Sequence, residues 1–203
     1  AFSLRERVFD VTEPAYGARG DGYTDDTAAI QAALDDCSAA GGGQVLLPAA
    51  DTPDCDSGYG RRYLVTNLRL HSNTDLHIPA GAVLWQSDDP AHYRILPRFG
   101  HNVSMTGVNW PANHSSGNYP LIYAYRERNI RITGGGIIRM CDTESRSRDG
   151  YFHYIGDNVC IGCCDRMHTI PVGMSECENV EVSDVSLIRS SAPYLIINGM
   201  KRV

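Results

Sequence analysis

No apolar run in this chain approaches the length of a membrane-spanning helix. That absence removes a helical membrane protein from consideration. A basic surplus is missing too. Against 24 Asp and Glu stand 18 Lys and Arg, a formal net charge of −6, which argues against nucleic acid as a main partner. The seven cysteines are an odd number, so a fully paired disulfide framework within one chain is excluded and mostly free or core thiols are expected. Cys160 and Cys163 have the spacing of half a zinc site, but a second well-spaced pair is lacking. The seven histidines show neither metal-ligand spacing nor a nucleophile partner. Neither a metal nor a cofactor is therefore expected. No secretory leader is visible, and Ala1 reads equally as a mature or trimmed terminus.

What the chain has is a repeated short pattern: Asn, then Val or Ile, any residue, an apolar residue, and often Gly. It reads Asn102-Val103-Ser104-Met105, Asn129-Ile130-Arg131-Ile132, Asn158-Val159-Cys160-Ile161 and Asn179-Val180-Glu181-Val182, with a looser copy from Asn73 to Ile78. Its apolar leads (Leu76, Val103, Ile130, Val159, Val180 and then Val203) recur at a near-even spacing in the twenties. A short alternating strand repeated at such a period signals a solenoid with one rung per period. The predicted fold is therefore all-β, a parallel β-helix. Within it Val103 and Met105, Ile130 and Ile132, and Val180 and Val182 point inward in pairs, and Glu181 faces out. The repeated Asn suits a turn, because it tolerates the left-handed conformation and bonds to neighbouring groups. At 203 residues, 42% apolar and 21% charged, the chain has the composition of one sizeable folded domain.

The domain is read as a cap region over 1–62 and coils over 63–203. Residues 7–12 alternate as a short strand, and a Gly-rich loop follows from Tyr16 to Gly22. The Ala-rich stretch after it predicts a helix over about 25–39, with Ile30, Ala33, Leu34 and Cys37 on one face. Thr24 or Asp25 caps it, and acids in its first turn suit the helix dipole. Asp25 and Asp26 are thus capping residues rather than a catalytic pair. Gly41–Gly43 ends the helix, residues 44–48 form the next strand, and the helix closes the open end of the solenoid. Trp85 reads as the end of a core strand.

Specific stretches add a resemblance. The run YGARGDGYTDDTAAIQAAL from Tyr16 to Leu34, with GGGQVLLP from Gly41, is similar to the N-terminal signature of the pectin-lyase-like superfamily. LRLHSNTDLHIPAGAVL from Leu68, SDDPAHY from Ser87, PLIYAY from Pro120, IRITGGGII from Ile130 and the stretch from Glu176 to Pro193 resemble polygalacturonases of glycoside hydrolase family 28. The resemblance implies a single-stranded right-handed parallel β-helix. It implies inverting hydrolysis of pectin or galacturonan by Asp residues on adjacent rungs, with a polysaccharide partner and a secreted or periplasmic setting. Free cysteines leave a cytoplasmic setting open. Residues 140–168 depart from the pattern. So does the lack of the family's catalytic motifs Gly-Asp-Asp, Gly-His-Gly and Arg-Ile-Lys, none of which occurs in these 203 residues, while Asn-Thr-Asp occurs only as Asn73-Thr74-Asp75, in an early rung rather than the later one expected to carry it.

No catalytic residue is therefore assigned. Val203 falls where the rung before Asn-Thr-Asp is expected, so the resemblance points to an N-terminal portion ending short of those motifs. A solenoid cut there is expected to associate or be poorly stable. Arg139, Arg148, Arg166 and Asn198 are the candidates to line a sugar cleft on the later rungs, and Trp85, Trp110 and Tyr194 the candidates to stack on sugar faces. Glu176, Glu178 and Glu181 read as solvated rung edges. A non-catalytic carbohydrate-binding or structural β-helix is the alternative. A polysaccharide lyase comes third, because no acid cluster resembles a calcium site.

Overall fold

Beyond its first helix the chain visits three parallel sheets in a fixed order. A computed structural model describes residues 7–50, 60–87, 118–140, 168–188, 195–198 and 201. The elements are β1 (Val8–Asp10), β2 (Asp21–Asp25), α1 (Thr27–Ala39), β3 (Gly43–Leu46), β4 (Arg61–Val65), β5 (Leu68–Arg69), β6 (Thr74–His77), β7 (Ala82–Gln86), β8 (Asn118–Tyr125), β9 (Arg128–Thr133), β10 (Ile137–Arg139), β11 (His168–Ser175), β12 (Glu178–Val182), β13 (Ser186–Ile188) and β14 (Leu195–Asn198). The first sheet runs β1-β3-β6-β9-β12, the second β2-β4-β7-β10-β13, and the third β5-β8-β11-β14. Each pairing between these strands is parallel. This is the parallel β-helix that the short alternating strands predict.

The registers stack like on like. In the first sheet Val45 pairs with Leu76, Leu76 with Ile132, and Ile132 with Val182. In the second, Tyr63, Leu84, Ile138 and Leu187 are in line. In the third, Leu68, Ile122 and Val172 are. Val45, Leu76, Ile132, Tyr63, Leu84, Ile138, Leu68, Ile122 and Val172 are fully buried. Full burial of one such aliphatic side chain contributes roughly 1.5–3 kcal/mol. The period of two puts these residues in the core and sends their neighbours outward.

The repeated asparagines among the described residues behave as expected. Asn73, Asn129 and Asn179 all have positive φ (63°, 55° and 53°) at the turn into the first sheet. Asn129 Nδ2 donates to Asn73 Oδ1 at 2.8 Å, and Asn179 Nδ2 donates to Asn129 Oδ1 at 2.9 Å. The copies at Asn102 and Asn158 lie outside the described residues. Among the described strands β6 pairs directly with β9 and β9 with β12. Consecutive ladder asparagines are 56 and 50 residues apart, because the connections from β7 to β8 and from β10 to β11 are long. At the far end, Lys201 forms a parallel bridge with Glu178, so the chain re-enters the first sheet just before Val203.

The helix begins two residues later than predicted, and no acid lies in its first turn. The N-cap is Asp26 rather than Thr24 or Asp25, and it makes no side-chain capping bond; Asp25, one residue before it, accepts the Thr27 N–H at 2.9 Å. Asp26 turns back instead and accepts the N–H groups of Arg19 at 2.7 Å and Gly20 at 2.9 Å, with its burial pushing its pKa up. Ile30, Ala33, Leu34 and Cys37 form the buried face, as the periodicity requires. Cys37 and Cys177 are free and buried.

The helix also satisfies the edge of the third sheet. Gln31 Oε1 accepts the Arg69 N–H at 2.9 Å, and Gln31 Nε2 donates to the Arg69 carbonyl at 3.2 Å. The Thr66 N–H donates to Thr27 Oγ1 at 2.9 Å. One turn beyond Gln31, Asp35 meets His71 Nε2 at 2.8 Å. Thr27, Gln31 and Asp35 thus form an i, i+4, i+8 stripe that stands where another strand would pair. Gln31→Leu keeps the helix propensity and removes both edge bonds. It is expected to cost about 1–2 kcal/mol, read as a lower urea midpoint with unchanged helical circular dichroism.

Candidate functional site

Alternation on the second sheet places Tyr63, Leu84 and Ile138 inward, so Arg62, Trp85 and Arg139 face out. The strands bearing them are adjacent, in the order β4-β7-β10, and β2 with Tyr23 lies beyond β4. The side chains interleave. The Arg62 guanidinium lies 5.9 Å from the Tyr23 ring centre and 5.8 Å from that of Trp85. The Arg139 guanidinium lies 3.7 Å over the same Trp85 ring. The result is an alternating row of ring, cation, ring and cation, one residue per strand. Strand spacing is about 4.8 Å, so the row runs along the solenoid axis. Its cations attract anionic groups, its rings offer apolar faces, and guanidinium geometry suits carboxylates.

This placement corrects the reading of Trp85. It does not end a core strand. Leu84 supplies the core residue of β7, and Trp85 is half-buried beneath Arg139 on the outer face. Arg139 itself is 8% exposed. Arg148, Arg166, Trp110 and Tyr194 lie outside the described residues. Asn198 ends β14 in the third sheet, in register with Ser175, so Arg139 and Asn198 stand on different sheets. Tyr23 and Arg62 were not singled out from sequence. The alternation in RRYLV turns Arg62 away from Tyr63, but its approach to Trp85 depends on the pairing of β4 with β7 one full coil later, which sets Arg62 opposite Val83.

The acids on this outer face among the described residues belong to β2. The Asp21 carboxylate accepts the N–H groups of Tyr23 at 2.9 Å and Thr24 at 2.7 Å. These bonds hold its pKa down at about 2. Asp25 is taken up by the helix start.

A second polar cluster covers the outer face of the first sheet. Asp75 is fully buried. Its carboxylate accepts from Thr133 Oγ1 at 2.8 Å and Gln44 Nε2 at 3.1 Å, with Arg131 at 3.8 Å. His77 Nδ1 is 2.8 Å from the same Thr133 oxygen. Arg131 also binds Glu181 with two hydrogen bonds, at 3.0 and 3.2 Å, which raise the guanidinium pKa. Glu176 pairs with Arg126 at 2.8 Å. Glu181 and Glu176 are thus ion-paired rung edges. Among the described residues no group of three or more His, Cys, Asp or Glu could hold a metal ion, and no helix is long and apolar enough to cross a membrane.

No protein-family model matches the chain. Over 132 residues, 65% of its length, it is 32% identical to exo-poly-alpha-D-galacturonosidase of Dickeya chrysanthemi, of which the match covers 19%. Over 36 residues, 18% of its length, it is 67% identical to mannuronan C5-epimerase AlgE1 of Azotobacter vinelandii, covering 3% of that protein. The chain therefore spans a minor part of these relatives. Among solved structures, the family 28 exopolygalacturonase of Yersinia enterocolitica superposes with a TM-score of 0.63 at 22% identity, over 98% of this chain and 39% of that one. A likeness at that identity speaks to the fold, and the Dickeya match adds the sequence. In fold the chain is a right-handed parallel β-helix, and in sequence it is similar to the Dickeya galacturonosidase.

Proposed function

We propose that the protein is a glycosidase that hydrolyses a galacturonan-type polysaccharide lying along the outer face of the second sheet. The observation that carries this is the row Arg62, Trp85 and Arg139. It sets guanidinium groups, whose geometry suits uronate carboxylates, around a Trp ring on three adjacent strands of the second sheet. The Dickeya relative, by its name a galacturonosidase, supports the same substrate class. Inverting hydrolysis needs one carboxylic acid to protonate the leaving oxygen and a second carboxylate to activate water from the opposite side. In this reading that pair belongs to the family's Asp set on later rungs, whose Gly-Asp-Asp motif these 203 residues do not include, and the described coils supply the substrate track.

Release of new reducing ends from polygalacturonate, without products absorbing in the ultraviolet, is the expected result for the natural protein. Ultraviolet-absorbing products would mean a lyase. Binding without either product would mean a non-catalytic carbohydrate-binding β-helix. Arg139→Ala removes a nearly buried cation from the track and is expected to weaken polygalacturonate binding roughly 10- to 100-fold. Trp85→Phe keeps a ring at the same place and is expected to weaken it by less than about fivefold. Both are read by affinity electrophoresis, with a thermal melt to confirm folding.

A further inference from the structure

Tyr23 is 83% exposed, the most exposed large apolar side chain among the described residues. Nothing in the core needs it. The acids two residues to either side of it in β2, Asp21 and Asp25, are exposed. Asp21 is locked in its own turn by the Tyr23 and Thr24 N–H groups and by the Thr24 hydroxyl. The ring meets Arg62 at 5.9 Å, and its exposure leaves the rest of it open to solvent. It therefore extends the row on the second sheet by one strand, to the edge strand next to the cap helix. The chemistry changes at that point. Around Trp85 the flanking charges are guanidinium groups, whereas around Tyr23 two of the flanking charges are carboxylates. An ionised uronate stacked there meets like charge, and a ring without charge does not.

We propose that Tyr23 is a distal stacking subsite that takes an uncharged pyranose ring, such as an esterified uronate, at the cap end of the track. The inference rests on the galacturonan reading above. It is tested with the full natural protein by measuring binding to a highly methyl-esterified pectin and to de-esterified polygalacturonate of matched length. Tyr23→Ala is expected to weaken binding to the esterified polymer roughly 5- to 10-fold and to the de-esterified one by less than about twofold. Tyr23→Phe is expected to restore the difference, because the ring and not the hydroxyl carries the contact. The side chain is exposed, so the variant folds, and a melt confirms it. An unchanged affinity for both polymers, or an equal loss for both, overturns the inference while the substrate reading stands. A wild-type protein that binds neither polymer removes both.

Discussion

Asn129→Val is expected to be among the most destabilising substitutions in the described chain, at about 3–5 kcal/mol. Two effects add. The backbone at Asn129 has φ of 55°, and the left-handed conformation costs an ordinary residue about 1–2 kcal/mol, more where the side chain is β-branched. The side chain also sits in the middle of the ladder, donating to Asn73 and accepting from Asn179. Losing both bonds costs about 1–3 kcal/mol. A series separates the two. Asn129→Gly permits the conformation and loses only the ladder, so about 1–2 kcal/mol is expected. Asn129→Asp keeps an acceptor for Asn179 but sets an oxygen against Asn73 Oδ1, giving an intermediate loss. Urea midpoints read the order. An equal loss for Gly and Val would place the whole effect in the ladder and remove the backbone argument.

The same asparagines show what sequence could and could not give. Three of the five copies of the pattern stand in one ladder, because a positive φ and a side-chain amide are local needs that leave a local mark. The copies at Asn102 and Asn158 carry the same mark and lie outside the described residues. Local alternation is identical whether a segment stacks on the coil before it or belongs to a long connection. Only pairing distinguishes them, and pairing joins residues 50 or more positions apart. The cap helix was legible for a similar local reason: its apolar face is written at helical spacing. The turning away of Asp26 was not, since its partners Arg19 and Gly20 are offered by a loop conformation. At the candidate site, Arg139 was named but its setting was not. The stack on Trp85 depends on the register of β7 against β10, across a connection whose length the sequence shows and whose register it does not. A Trp next to Leu84 reads as core until the parity of the strand is fixed by its neighbours.

Asp75→Ala is the second substitution with a large expected effect, again about 3–5 kcal/mol. The carboxylate is fully buried on the outer face of the first sheet, beneath the side chains it organises. Thr133 and Gln44 donate to it, and Arg131 stands at 3.8 Å. It therefore ties three consecutive strands, β3, β6 and β9, by side chains as well as by backbone. Removing it leaves the Thr133 hydroxyl and the Gln44 amide facing a void and takes one of two acids from Arg131, which keeps Glu181. A buried donor deprived of its acceptor costs about 1–3 kcal/mol, so the sum is large without any core side chain being touched. Asp75→Asn separates charge from shape. It can keep the bond from Thr133, but its amide meets the Gln44 amide and the Arg131 guanidinium, donor against donor, and about 1–3 kcal/mol is expected. Adding Gln44→Glu to Asp75→Asn converts that clash into an amide–carboxylate bond and is expected to recover part of the loss. Denaturant midpoints for the single and double variants give the coupling energy. Full additivity of the two substitutions would show that Gln44 and Asp75 do not interact, and the side-chain tie between β3 and β6 would then have to be abandoned.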